Sequence, residues 1–293
     1  MDNNRRFPLI LSSFWLKIIA LLTMTIDHLG YAFDIMAFRY IGRLALPLFC
    51  FMIAEGAIHT KSFKKYALRL GIMASFISLA ILLSEVVPYF KNNGLSMRNE
   101  GVIFIDLLLG ALAVYLLRQD KWYIKLLAIL PLAYGMTSYI VTCLDACRCY
   151  GEILWFPFFI RTQYGWYAIM LTIGFYLAHL FTMGFIKYRS SITGIDVALY
   201  KDSNLERNAL NIISVLVLAV LTVANYFSDY LMDTYVYIAN PGYKIQLYAI
   251  ISGAFILLYN GRRGYNKKWF QYGSYFYYPV HMAIIALLQI IIL

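Results

Sequence analysis

An aspartate and a histidine stand side by side at positions 27 and 28, in TMTIDHLGYAF, inside an apolar run that begins at Phe14. Histidine is the side chain best suited to take up and release a proton near neutral pH. A carboxylate beside it can orient the ring or offset the charge it gains. Arg39 and Arg43, two cations inside the next apolar run, follow in RYIGRLALPLF. Glu55 and His59 are four residues apart, hence on one face of a helix. His281 follows a Tyr-Pro pair in SYFYYPVHMAII. Together these residues supply a base, an acid beside it and cations within reach, the parts of a proton-transfer site. Each has a plainer reading as well. His28 could hydrogen-bond a carbonyl inside a bundle, and Asp27 could serve only as the ion-pair partner of Arg43. Glu55 and His59 could close a helix end, and His281 could be packed at a proline kink.

The segments that carry these groups are apolar. Only 14% of the 293 residues are charged, against about 25% in soluble domains. Apolar runs recur near 14–33, 41–59, 66–88, 101–117, 124–144, 165–186, 209–231, 244–260 and 274–293. About 20 such residues, rising 1.5 Å each as a helix, cross a hydrocarbon core of about 30 Å. The expected fold is all-α, a polytopic transmembrane helical bundle of about nine to ten spans, forming a single domain over residues 1–293. Ile153 to Phe159 (ILWFPFF) is too short to cross and is expected to be re-entrant or interfacial. The N-terminus lacks a small-residue cleavage pattern and reads as a retained first helix.

Charge gives the expected orientation. With a cytoplasmic N-terminus, the basic residues within 5–17, 61–69, 118–125, 187–207 and 262–268 all fall on the inner side, 18 of the 25 in the chain. Arg39, Arg43, Lys91, Arg98, Arg148, Arg161 and Lys244 fall on the other. This bias follows the positive-inside rule and accounts for the net charge of +10 with no nucleic-acid partner. An ionisable residue inside a span costs roughly 2.5–3.5 kcal/mol on insertion scales, so it faces a partner or a wet cavity. His28 lies about 21 Å along its helix from Phe14. Arg43 enters the next span from the opposite side after a short connection, so the two helices are expected to be antiparallel neighbours with Asp27, His28 and Arg43 clustered. Cys143, Cys147 and Cys149 have no histidine nearby. They are expected as free thiols or a disulfide, with no metal.

Five segments, LKIIALLTMTIDHLGYAF, RYIGRLALPLFCFMIAEGAIHTKSFKKYALRL, YGWYAIML, NPGYKIQLYAIISGAFILLYNGRRG and SYFYYPVHMAII, resemble in order and spacing the TraX family of integral membrane proteins, named for a conjugative-pilus acetylase. The most specific block is DH, then GR-x-x-x-P, then AEG-x-x-HT. The likeness departs before YGWY, where Gln163 stands in place of an acid. It implies a membrane acyltransferase of the bacterial inner (plasma) membrane, similar to a broader group that includes the lysosomal heparan glucosamine acetyltransferase. Such an enzyme takes acetyl from cytosolic acetyl-CoA and passes it to an amine or hydroxyl of a peptide, glycan or lipid, at the membrane or its outer side. The intramembrane histidine of that group matches His28, as general base or as acyl carrier. Asp27 would support it, and Arg43 or a nearby amide would hold the oxyanion. Glu55, His59, Arg39 and His281 are supporting candidates. Lys65, Arg69, Arg262 and Arg263 are candidates for the phosphates of coenzyme A. Two other classes would use the same charges: a proton-coupled transporter, which moves its substrate without covalent change, and a non-catalytic membrane assembly protein, which should function without His28.

Overall fold

The computed structural model describes residues 9–89, 97, 101–147, 153, 155–201, 203–236, 243–265 and 267–292. In chain order its helices are α1 Ser13–Ala32, α2 Met36–Gly42, α3 Ala45–His59, α4 Phe63–Val86, α5 Ile103–Leu117, α6 Trp122–Leu126 and α7 Ile129–Cys147. There follow α8 Trp166–Thr193, α9 Val197–Tyr200, α10 Asn204–Val236, α11 Tyr243–Gln246, α12 Gly253–Leu257 and α13 Lys268–Ile292. Two 3₁₀ turns, Phe158–Ile160 and Leu247–Ser252, join them. Among the described residues the one β feature is an isolated parallel bridge between Leu11 and Tyr259.

The outer surface of this bundle is apolar in stripes. On α4, Leu68, Ile72, Phe76, Leu79 and Leu83 are exposed; on α10, Ile212, Leu216, Val220, Val223, Phe227 and Leu231; on α13, Phe276, Val280, Ile284, Leu287 and Ile291. Steps of three and four residues put each set on one helical face. A soluble monomer rarely exposes contiguous apolar surface on this scale, whereas a bilayer is the solvent such faces require. Met36–His59, Phe63–Val86, Trp122–Ala146, Trp166–Thr193 and Asn204–Thr234 are each long and apolar enough to cross a membrane. The chain is a helical membrane protein.

The other four apolar runs also form helices, but of different character. Ile103–Leu117 and Lys244–Leu257 are shorter apolar helices, the latter largely wound as 3₁₀. The helices α1 and α13 have 20 and 25 residues but carry polar groups along their length. The run at 41–59 is also modified: α2 and α3 are separated by turn residues Arg43 and Leu44. Pro47 has no amide to bond the Arg43 carbonyl, which accounts for the break. The ILWFPFF segment contains a 3₁₀ turn, with Trp155 exposed and Phe156 buried.

Inside, α8 is the central helix, packed against α3, α5, α7 and α10. Small residues allow these approaches, because apolar side chains gain little by leaving lipid and close backbone contact must supply the attraction. Gly110 of α5 faces Thr172 of α8, and Gly174 of α8 faces Val217 of α10. Ala54 and Ala57 of α3 and Ala168 of α8 are buried. At one end of the bundle, the buried Asp106 carboxylate accepts the Gln163 amide at 2.7 Å and the Tyr164 amide at 3.3 Å, pinning the loop before α8 to α5. Arg161 pairs with Asp145 at 2.5 Å at the same end.

Two neighbours of α1 build the site. The chain reverses through Phe33–Ile35, with Asp34 at φ 54°, so α2 runs back along α1 as expected. By contrast, α13 runs parallel to α1. Phe14 contacts Phe270, Thr25 bonds Tyr277 at 2.7 Å, and the Ala32 carbonyl accepts Gln289 at 3.1 Å. The residue-number difference in these pairs is nearly constant, as parallel packing requires. The start of α1 is also tied to the loop before α13. Its Ser13 and Phe14 amides, which have no partner within the helix, donate to the Arg262 and Arg263 carbonyls at 2.8 and 3.1 Å.

Candidate active site

Asp27 and His28 are consecutive on α1, so their side chains leave the helix about 100° apart and meet different helices. Asp27 turns to α2 and its junction with α3. Arg43 Nη2 donates to both carboxylate oxygens at 2.5 and 2.6 Å. Arg39 Nη1 stands 3.1 Å from Oδ2 and also approaches the Asp27 carbonyl at 3.4 Å. Of the expected cluster of Asp27, His28 and Arg43, the first and last are together and Arg39 joins them, while His28 turns to another helix. Gly42 makes this possible: a Cβ there would lie inside the Asp27 carboxylate. Arg43 Nη1 reaches Gln246 Oε1 at 3.5 Å.

His28 turns to α13. Its Nδ1 lies 2.7 Å from His281 Nε2, with the rings stacked at 4.9 Å. His281 Nδ1 is 2.8 Å from the Tyr277 carbonyl. A carbonyl only accepts, so His281 Nδ1 carries the proton and, in the neutral ring, Nε2 is the acceptor. His28 Nδ1 must then donate, which leaves the lone pair of His28 on Nε2. The pair fixes the tautomer of His28, as a carboxylate would; the group that orients the ring is His281, while Asp27 faces the arginines.

One turn below this pair lies a cavity of about 500 Å³, within the range of small-molecule sites. Lys17, Leu21 and Met24 of α1 line it, continuing the face that carries His28. Phe49, Glu55 and His59 of α3, Arg69 of α4, Phe104 of α5 and Tyr275 and Tyr278 of α13 also line it. Cations gather at one end: Lys17, Arg69, Arg207 and Arg263 come from four separate elements. At the other end, Tyr278 stands edge-on to His28, with ring centres 5.8 Å apart. It meets His281 in the same way at 5.4 Å, and Phe104 backs it at 5.5 Å. Tyr278 is the partition between the cavity and the histidines.

The candidates named from sequence divide accordingly. Asp27, Arg39 and Arg43 form the ion cluster, and His28 and His281 form the histidine pair. Glu55, His59, Arg69 and Arg263 line the cavity. Lys65 and Arg262 are exposed and lie outside its walls. From the sequence, Lys17 and Arg207 count only toward orientation, and Tyr278 has no assigned role. The spacing 17, 21, 24, 28 was a usable signal for Lys17, since it is one helical face. Nothing local marks Arg207 or the partition. Of the cysteines, Cys143 is buried in α7, while the Cys147 side chain and Cys149 lie outside the described residues.

No solved structure matches the chain. A curated relative, "Probable fimbrial assembly protein FimC, serogroup H1" of Dichelobacter nodosus, is 36% identical over 85 residues, 26% of this chain and 35% of the relative. The match therefore spans about a third of that relative's length. The family model described as TraX protein matches residues 12–250. That range includes α1 with Asp27 and His28, the α2–α3 junction with Arg39 and Arg43, and α10 with Arg207. With most of its length matched in this way, the chain belongs to the TraX family.

Proposed function

We propose that the protein is an integral membrane acyltransferase that moves acetyl from cytosolic acetyl-CoA to an amine or hydroxyl acceptor. The basic end of the bundle faces the cytoplasm in this reading, and all nine apolar runs lie in the bilayer. One observation carries the proposal: a cavity with cations at one end is closed at the other by Tyr278, whose ring also meets a tautomer-fixed histidine pair. The phosphates of coenzyme A suit Lys17, Arg69, Arg207 and Arg263. The apolar and aromatic walls between Phe49 and Tyr278 suit the pantetheine arm.

His28 Nε2 accepts the proton of the acceptor amine or hydroxyl as that nitrogen or oxygen attacks the thioester carbonyl carbon. The C–S bond breaks, and His28 returns the proton to the departing sulfur. The products are the acetylated acceptor and the coenzyme A thiol, and the base is restored. His281 keeps His28 Nδ1–H engaged throughout and steadies the imidazolium. Two guanidinium groups against one carboxylate give the Asp27 cluster a formal charge of +1 beside the base, favourable to an oxyanion. In the carrier route, the same Nε2 lone pair attacks the carbonyl and hands the acetyl on.

The name of the Dichelobacter nodosus relative favours fimbrial or pilus assembly as the setting, with a peptide amine as acceptor. It equally favours a non-catalytic assembly role. Mass spectrometry of peptide, glycan and lipid acceptors incubated with the purified protein and acetyl-CoA separates the two. The enzyme is expected to add one acetyl group, and His28→Ala to add none. Full assembly function retained by His28→Ala in cells would remove the enzymatic reading.

A further inference from the structure

Among the cations of the cavity, Arg207 is held in a different way. It enters from the first turns of α10 and its side chain is 14% exposed. Its guanidinium lies over the Tyr259 ring at 5.4 Å. On another side it abuts Gly261, at φ +73°, where a Cβ would stand 2.5 Å from Nη2 and 2.6 Å from Cζ. Ring and backbone hold the planar group but offer it no hydrogen-bond acceptor. Among the described residues it pairs with Glu55, with Nη1 3.7 Å from Oε2, beyond hydrogen-bond reach. Nη1 is buried and has no hydrogen-bond partner among the described residues. Glu55 is meanwhile approached by the Tyr259 hydroxyl at 3.4 Å. Arg207, Glu55, Tyr259 and Gly261 all line the cavity.

A guanidinium with donor positions unfilled, flattened between a ring and a glycine, matches the planar fork that binds phosphate oxygens. A carboxylate that faces it without bonding it is a competing anion. We propose that Arg207 is the phosphate anchor of the acyl donor and that Glu55 weakens this grip by competing for the same guanidinium. A phosphate drawn to Arg207 shifts that ion pair, and the repulsion between phosphate and Glu55 favours release of the coenzyme A thiol after transfer. This inference rests on the acyltransferase reading and adds to it a named anchor and a named opponent.

Arg207→Ala and Glu55→Gln make the test, with binding of acetyl-CoA and of S-acetyl-pantetheine, which lacks phosphates, measured on the full-length protein in lipid nanodiscs. Arg207→Ala is expected to weaken acetyl-CoA about 10- to 100-fold, the size of a charged hydrogen-bonded contact, and to leave S-acetyl-pantetheine unchanged. Glu55→Gln is expected to tighten acetyl-CoA severalfold with no effect on the phosphate-free thioester. A merely structural Arg207–Glu55 pair predicts the same sign for both variants and for both ligands, and that result would overturn the proposal. Wild-type affinity for acetyl-CoA retained in Arg207→Ala would also overturn it, leaving the acyltransferase reading intact. No binding of either thioester by folded wild type would remove that reading and the anchor with it.

Discussion

His28 on α1 and His281 on α13 share a hydrogen bond of 2.7 Å between Nδ1 and Nε2, across 253 positions of the chain. The His281 Nδ1–H bond to the Tyr277 carbonyl sets the direction of the whole relay. Replacing His281 by Phe keeps an aromatic ring in the stack and removes the acceptor for His28 Nδ1–H. Turnover is expected to fall about 10- to 100-fold, less than the 10²–10⁴ typical of losing the base itself. Donor affinity should stay near wild type, so the split between kcat and KM is the measurement.

Asp27 has a different role, in holding α2 and the α2–α3 junction to α1. Asp27→Asn leaves Arg39 and Arg43 without their carboxylate. Breaking a buried pair by removing one partner costs about 3–5 kcal/mol. A clear drop in Tm in detergent is expected. Gly42→Ala should act in the same direction, because its methyl collides with the Asp27 carboxylate.

Much of this was legible in the sequence, and what was missing has a physical reason. The acid–base pair at 27 and 28 and its nearness to Arg43 follow from one helix, a short turn and a second helix returning. Local chain geometry fixes such contacts. The pairing of α1 with α13 does not follow in that way. No rule of composition or period selects which distant helix packs beside the first, so His281 could be named as a candidate but not placed. The break at Arg43–Leu44 was within reach through Pro47. Hydropathy, however, averages over 18 or more residues and passes across it. The same averaging hid the short, partly 3₁₀ character of 244–260. Positive charge in the loops gave one side of the bundle, yet could not separate Lys65 and Arg262 on the surface from Lys17 and Arg207 in the cavity wall. Helical phase marks Lys17, and only tertiary packing marks Arg207.

Tyr278 divides the cavity from the histidines. Tyr278→Ala is expected to open the cavity to His28 and admit water to it. Hydrolysis of acetyl-CoA without acceptor is expected to rise, read as thiol release, while the yield of acetylated acceptor per donor consumed falls. Unchanged acceptor-free hydrolysis would show that the ring is not a barrier.

Asp106 is buried and binds two loop amides rather than a cation. Asp106→Ala leaves the Gln163 and Tyr164 amides without their acceptor, at about 1–3 kcal/mol for each group left unsatisfied. Lower thermal stability is expected, with faster proteolysis in the 156–165 loop. Limited digestion followed by mass mapping reads this directly.

The most direct measurement compares acetyl-CoA binding and single-turnover thiol release for wild type and His28→Ala, on protein shown to be folded. Both proteins are expected to bind the donor with similar affinity, since the cation-lined end of the cavity is untouched. Only wild type should release thiol when an acceptor is present. Equal thiol release by His28→Ala, or failure of folded wild type to bind acetyl-CoA, would contradict the assignment of His28 as the catalytic base of an acyltransferase.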